Sequence, residues 1–378
     1  MSRGLTFAYL ALTLALFFYS YGFVDLNLTL SAEPHLFALV SSLQGLVYFN
    51  RPLSTQIYLF FVFAFFSLYL LVLNKSRSLK LTKFPLRLVV VLAVIFSLFY
   101  PFLSSDLFKY LFSAKMVVLY HANPHVVTPD FFASDPWIRF MRWVHTPSPY
   151  GPVFTLMMIP YYLLGLGKFV PAMYLYKLDA VFWYLLSIWL VGKLSYQLFA
   201  SKEKQLTAKL FFALNPLILY EWLGNGHNDA PMLSLLLLSL YLLTLKKKVW
   251  ALFALLLSIG IKYVTIFLLP AIFLKNLNLK KTLYYLLFAF TLVPLVYNYS
   301  FQYQPWYVTW IIPFAAVLGQ GSIMWVVGAY SLGSLLRYLP FVSTSLWGAT
   351  PFTFALLSFA PPIITLLIIL FYRRLRRL

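Results

Sequence analysis

Long apolar runs, each closed by a short Lys- and Arg-rich stretch, recur from one end of this chain to the other. That alternation constrains the fold more than any motif. An apolar run of about 20 residues crosses a bilayer as a helix, because hydrocarbon offers no partner for free backbone N–H and C=O groups. With 62% hydrophobic residues and 10% charged, a soluble fold of 378 residues has nowhere to bury so much apolar surface. A transmembrane β-barrel would show short alternating segments instead. The expected class is all-α: one integral membrane domain over residues 1–378, a polytopic transmembrane bundle of about 10–12 segments, some broken or re-entrant.

The basic clusters orient it. They fall at Lys75–Arg87, Lys193–Lys209, Lys246–Lys248, Lys275–Lys281 and Arg373–Arg377. Placed in the cytoplasm beside anionic lipid, they account for the net charge of +20 without nucleic acid. The absence of Cys leaves no disulfide framework and no thiolate metal site. Arg3 and the run Leu5–Val24 lack a following small-residue cleavage site and read as a first membrane helix. Crossings are then expected at 4–24, 55–73, 86–103, 171–193, 208–222, 229–245, 282–299, 306–319, 323–340 and 352–372, with both termini cytoplasmic. Residues 152–167 carry Pro160 and end in Gly165 and Gly167. A full crossing there would put Lys202, Lys204 and Lys209 outside, so a broken or re-entrant element is expected. Residues 249–273, with Gly260 and Lys262 in the middle, read as two half-length helices.

One consequence concerns chemistry. Asp25, Glu33, Asp106, Asp130, Asp135 and Asp229 land on the non-cytoplasmic face, with Glu221 close beneath it. So do all five histidines: His35, His121, His125, His145 and His227. Nearly every group able to move a proton is on one side, and phosphorylated nucleotide donors are on the other. A substrate there is itself lipid-linked or extracellular.

Four constellations carry candidate chemistry. Asp106 opens the loop 104–151, where Leu107–Tyr120 has the apolar spacing of an interfacial helix and Arg142 and Tyr150 follow. Such a long, partly ordered loop is more often functional than decorative. Asn215-Pro216 precedes Glu221 and the run Gly224-Asn225-Gly226-His227-Asn228-Asp229, where glycines allow close approach to a ligand. Asp229 equally suits a helix N-cap. Gln304, Trp306 and Tyr307 suit either an interfacial aromatic belt or a sugar face. Lys262-Tyr263 places a cation in an apolar segment, which calls for an anionic partner such as phosphate.

Together these residues resemble the GT-C class of integral membrane glycosyltransferases, and among them the mannosyltransferases that use polyprenyl- or dolichyl-phosphate mannose. The likeness rests on Ser105-Asp106 with Tyr110, Asn123-Pro124, Ser148-Pro149-Tyr150-Gly151-Pro152, Asn215-Pro216 with Gly226-His227-Asn228-Asp229, Lys262-Tyr263, and Trp306-Tyr307 with Trp310 and Pro313. It covers about residues 86–315, with donor-site motifs on the helices of 152–315 and none on the C-terminal helices of 323–378. The resemblance implies that Asp106 is the catalytic base. It implies Lys262, His227 and Arg142 at the donor phosphate, and Tyr110, Tyr150, Asn228, Asp229, Tyr263, Gln304, Trp306 and Tyr307 at sugar or acceptor. It also implies a polyprenyl-phosphate sugar donor in the outer leaflet and a glycolipid, glycan or protein acceptor. Some relatives pair two acids at the first position. Here Ser104 stands two before Asp106, so no metal and no other cofactor is expected. A transporter or flippase would instead show ionisable groups near the bilayer midplane and internal repeats. The acids here gather at one rim, with Asp179 the main exception, and no repeat is evident.

Overall fold

The computed structural model describes residues 2–28, 33–78, 81–296, 303–346 and 348–376. Among them every regular element is helical. In chain order the α-helices are α1 Arg3–Tyr21, α2 Pro34–Leu46, α3 Arg51–Arg77, α4 Leu86–Ser97, α5 Asp106–Val118, α6 Pro152–Leu164, α7 Phe169–Phe199, α8 Lys202–Ala213, the single turn α9 Pro216–Ile218, α10 Asp229–Thr244, α11 Lys248–Ile261, α12 Leu269–Phe273, α13 Leu279–Val296, α14 Ile312–Leu318, α15 Gly321–Leu336, α16 Leu339–Thr344 and α17 Pro351–Leu375. Five are long and apolar enough to span a membrane: α1, Arg51–Ser76 of α3, α7, α13 and α17. The chain is an integral membrane bundle.

The shorter elements are where the structure differs from the expected spans. Residues 86–103 are helical only to Ser97, and the chain then runs irregularly to Asp106. The expected span 208–222 is broken: α8 ends at Ala213, Asn215 caps α9 by accepting from Leu217 N (3.0 Å), and a π-helical turn, Leu219–Gly224, follows. Pro216 lacks the N–H that continuation would need, and the wide turn absorbs an extra residue. Residues 249–273 divide at Lys262, as the spacing suggests. The expected crossing 306–319 begins as a 3-10 turn, Pro305–Trp310. Helix α2 was not anticipated, although Glu33-Pro34 is a start signal: the Glu33 carboxylate accepts from Leu36 N at 2.8 Å. Residues 297–299 of the expected span 282–299, and Lys80 and Arg377 of the basic clusters, lie outside the described residues.

Helices α7, α10 and α11 pack side by side, α15 packs on α17, and α5 lies against α6. The basic clusters sit at the C-terminal ends of α3 and α7 and the N-terminal ends of α4 and α8. Because α4 runs away from Arg87, its far end and the N-terminus of α5 belong to the opposite side of the bundle.

Two glycines lock that side together. Gly151 N donates to Ile261 O (2.9 Å), and a Cβ on Gly151 would stand 2.1 Å from Gly260 O. A Cβ on Gly260 would stand 2.3 Å from Val153 Cγ2. Only this backbone-to-backbone approach draws the start of α6 onto the end of α11, and with it Tyr150 toward Lys262.

Candidate active site

Asp106 is the first residue of α5 and is 7% exposed. Its N–H donates to Ser104 Oγ (3.2 Å), so the local chain folds back before the helix begins. Its carboxylate accepts from Tyr150 OH (3.1 Å) and faces His227 Nδ1 at 3.9 Å. Tyr110, one turn further along α5, places its hydroxyl 3.5 Å from the same nitrogen and its ring edge-on to Tyr150 (4.9 Å, 87°).

Helix α5 is buried as far as Met116, its two lysines included. Lys109 Nζ donates to Thr146 O and Oγ1 (both 2.8 Å) and to Pro147 O (3.1 Å), tying down the loop that leads to Tyr150. Burial lowers its pKa to about 8, against the upward pull of Asp106. Lys115 pairs with Asp135 at 2.5 Å.

The π-helical turn sets the opposite wall. It points Glu221 inward, where Oε1 accepts from Tyr338 OH (2.8 Å) and Oε2 from Asn225 Nδ2 (2.9 Å). Glu221 O accepts from His227 N (2.9 Å), and Gly226 takes a positive φ (+71°) that few other residues tolerate. His227 Nε2 then lies 3.2 Å from Glu221 Oε2, close enough for charge attraction though off the ideal hydrogen-bond direction. Its ring stacks on Trp306 (4.3 Å, 26°). Burial of the ring opposes protonation. The carboxylates of Glu221, Asp106 and Asp229 outweigh it, and the pKa of His227 is raised. Lys177, fully buried on α7, donates to Gly224 O (2.7 Å) and to Phe99 O, joining this wall to the chain that delivers Asp106.

A third layer lies alongside. Asp229 is not the N-cap of α10, so that alternative is corrected: Asn228 holds the capping position without a side-chain capping bond. Asp229 Oδ1 instead accepts from Lys262 Nζ (2.7 Å) and Trp310 Nε1. Thus Lys262, expected at a phosphate, is paired with a carboxylate of the chain itself. Asn228 Oδ1 and Nδ2 and Asp229 Oδ2 are buried without a hydrogen-bond partner among the described residues. Tyr307 packs against Trp310 (4.7 Å) and Trp306 (5.8 Å).

Ser104, Ser105, Asp106, Arg142, Trp143, Gln304, Trp306 and Arg337 line one cavity of about 350 Å³, with Leu103 and Phe354 among its apolar lining. Of the residues singled out from the sequence, Asp106, Arg142, Gln304 and Trp306 line it. Tyr110, Tyr150 and His227 touch Asp106 or its neighbours, and Asn228, Asp229, Lys262 and Tyr307 form the adjoining layer. Tyr263 stands apart, 57% exposed and without contact to these groups among the described residues. Lys262 is extended (φ −151°, ψ 120°), so consecutive side chains point to opposite sides and Tyr263 turns outward. Sequence reasoning missed Arg337, Trp143 and Phe354, and placed Glu221 and Trp310 nearby without a role. Arg337 carried a signal: a lone Arg at the end of a helix remote from every basic cluster. No group of three His, Asp or Glu is arranged to hold a metal among the described residues.

The profile of one family, described as alpha-(1->6)-mannopyranosyltransferase, N-terminal domain, matches residues 10–277. No curated protein and no solved structure shows a match to the chain.

Proposed function

The chain belongs to that family of GT-C-type mannosyltransferases, and from this premise we propose that it moves mannose from a polyprenyl-phosphate donor to an acceptor hydroxyl, inverting at the anomeric carbon, with Asp106 as general base. One observation carries the reading: a buried carboxylate, held by Tyr150 and facing His227, lines a cavity shared with Arg142, Gln304, Trp306 and Arg337. A general base needs a fixed position and a route to substrate, and Asp106 has both.

In this reading the acceptor oxygen attacks the anomeric carbon as its proton passes to an Asp106 oxygen. The bond from that carbon to the phosphate oxygen breaks, and polyprenyl phosphate leaves with the electron pair. The stacked Trp306 offers an apolar face to the sugar. The unpartnered polar atoms of Asn228 and Asp229 suit its hydroxyls, since buried polar groups are ordinarily paired. His227 and Lys262, each beside a carboxylate, set the field around the base, and Arg142 serves the donor phosphate. The acceptor is a glycolipid, glycan or protein, and the linkage is α-(1→6), as the family description suggests. Basic clusters at the opposite ends of α3, α4, α7 and α8 support a non-cytoplasmic site.

Asp106→Asn tests the role of the base. It keeps shape and hydrogen-bonding capacity and removes basicity. Turnover with polyprenyl-phosphate mannose should fall by ~10²-fold or more while donor binding persists. Transfer at a near-normal rate would rule out Asp106 as the base.

A further inference from the structure

Arg337 lies outside residues 10–277 and closes α15 as its C-cap residue. It is 5% exposed, yet its Nε has no hydrogen-bond partner, and it makes no ion pair among the described residues. Its neighbour is a ring, Phe354, 4.2 Å from Cζ to the centroid. The buried lysines here are spoken for, Lys115 by Asp135 and Lys109 and Lys177 by backbone carbonyls, and so is the half-buried Lys262, by Asp229. A guanidinium lodged in a largely apolar setting without a counter-charge is costly unless it serves an anion. It lines the Asp106 cavity, and Ala349 and Pro351, at the N-terminus of the 25-residue α17, line it too. The positive end of that helix therefore points the same way as the arginine.

From this we infer that Arg337 holds the phosphate of the donor and stabilises it as it leaves. The inference rests on the reading of the site given above. As the anomeric carbon–oxygen bond breaks, the phosphate passes from a diester with one negative charge to a monoester with up to two. A fixed forked cation therefore binds the departing group more tightly than the intact donor, which is the condition for lowering the barrier. The planar guanidinium also offers paired donors to two phosphate oxygens, which a lysine does not. Lys262 is displaced from this role by its bond to Asp229.

The test uses the full chain purified in detergent, polyprenyl-phosphate mannose as donor, and polyprenyl phosphate, the leaving group, as inhibitor. Arg337→Gln should lower kcat by ~10²-fold or more and weaken inhibition by polyprenyl phosphate at least ~10-fold, with a smaller change in KM. A folded Arg337→Gln protein with wild-type inhibition overturns the assignment while leaving the donor reading intact. Should that variant not fold, Arg337→Lys carries the test: about tenfold weaker inhibition is expected, because a point charge replaces the fork, and inhibition as tight as wild type overturns the role. A wild-type chain that takes mannose from another donor and not from this one overturns the donor reading and, with it, the role of Arg337, whereas transfer from this donor with indifference to polyprenyl phosphate overturns the role of Arg337 alone.

Discussion

His227 is the residue on which two walls of the site depend, since Glu221 and Asp106 both face its ring. Its raised pKa is a statement about stability. The folded value stands above the ordinary 6.5 because the attraction of the carboxylates exceeds the burial penalty. The stabilisation is therefore fully present below 6.5 and is lost as pH rises through the folded value. The thermal midpoint of the purified chain should fall as pH rises above 6.5, relative to that of His227→Gln, which has no proton to lose. Parallel midpoints would show that no charge is held there. Asp106 and His227 were both legible from residue type and position. The contact between them was not, because the 120 residues between them carry no mark of which turn brings them together.

 The Tyr110–His227 contact, between residues 117 apart in sequence, shows the same thing: the partner is chosen by the fold.

At the scale of elements, the site depends on how closely α6 approaches α11. Gly151→Ala would set a methyl group 2.1 Å from Gly260 O, where backbone has to move. Overpacking of this kind costs ~1–3 kcal/mol, and the shift separates Tyr150 from Lys262. A lowered thermal midpoint together with lost transfer is expected. Gly45→Ala, inside α2 with nothing within 4 Å of the new Cβ, is the control and should be neutral or stabilising. If both variants behaved alike, the close approach would have no bearing on the site. The π-helical turn Leu219–Gly224 is the other such element. Asn215-Pro216 announced a break in the helix, but only the wide turn itself points Glu221 inward.

At the scale of the whole molecule, the prediction concerns orientation. The chain has no Cys, so single cysteines report cleanly. In intact cells, Ser201→Cys, at the start of α8 among basic residues, should resist a membrane-impermeant thiol reagent. Val126→Cys, in the segment between α5 and α6 where the native side chain is 71% exposed, should react. The opposite pattern would invert the bundle and place the site on the cytoplasmic side.

The sequence by itself determined the class of molecule, because apolar length and basic clustering act through transfer free energy, which depends on composition and hardly on contacts. It also marked the polar residues that an apolar chain keeps at a cost, among them Asp106, His227, Asp229 and Lys262. The tertiary structure decided what each of these does. Lys262 meets Asp229, Tyr263 turns outward, and Arg337 enters the cavity from beyond the matched region. Those outcomes depend on ion pairing at about 3 Å and on the packing of helices distant in sequence, and a burial pattern read one residue at a time does not encode either.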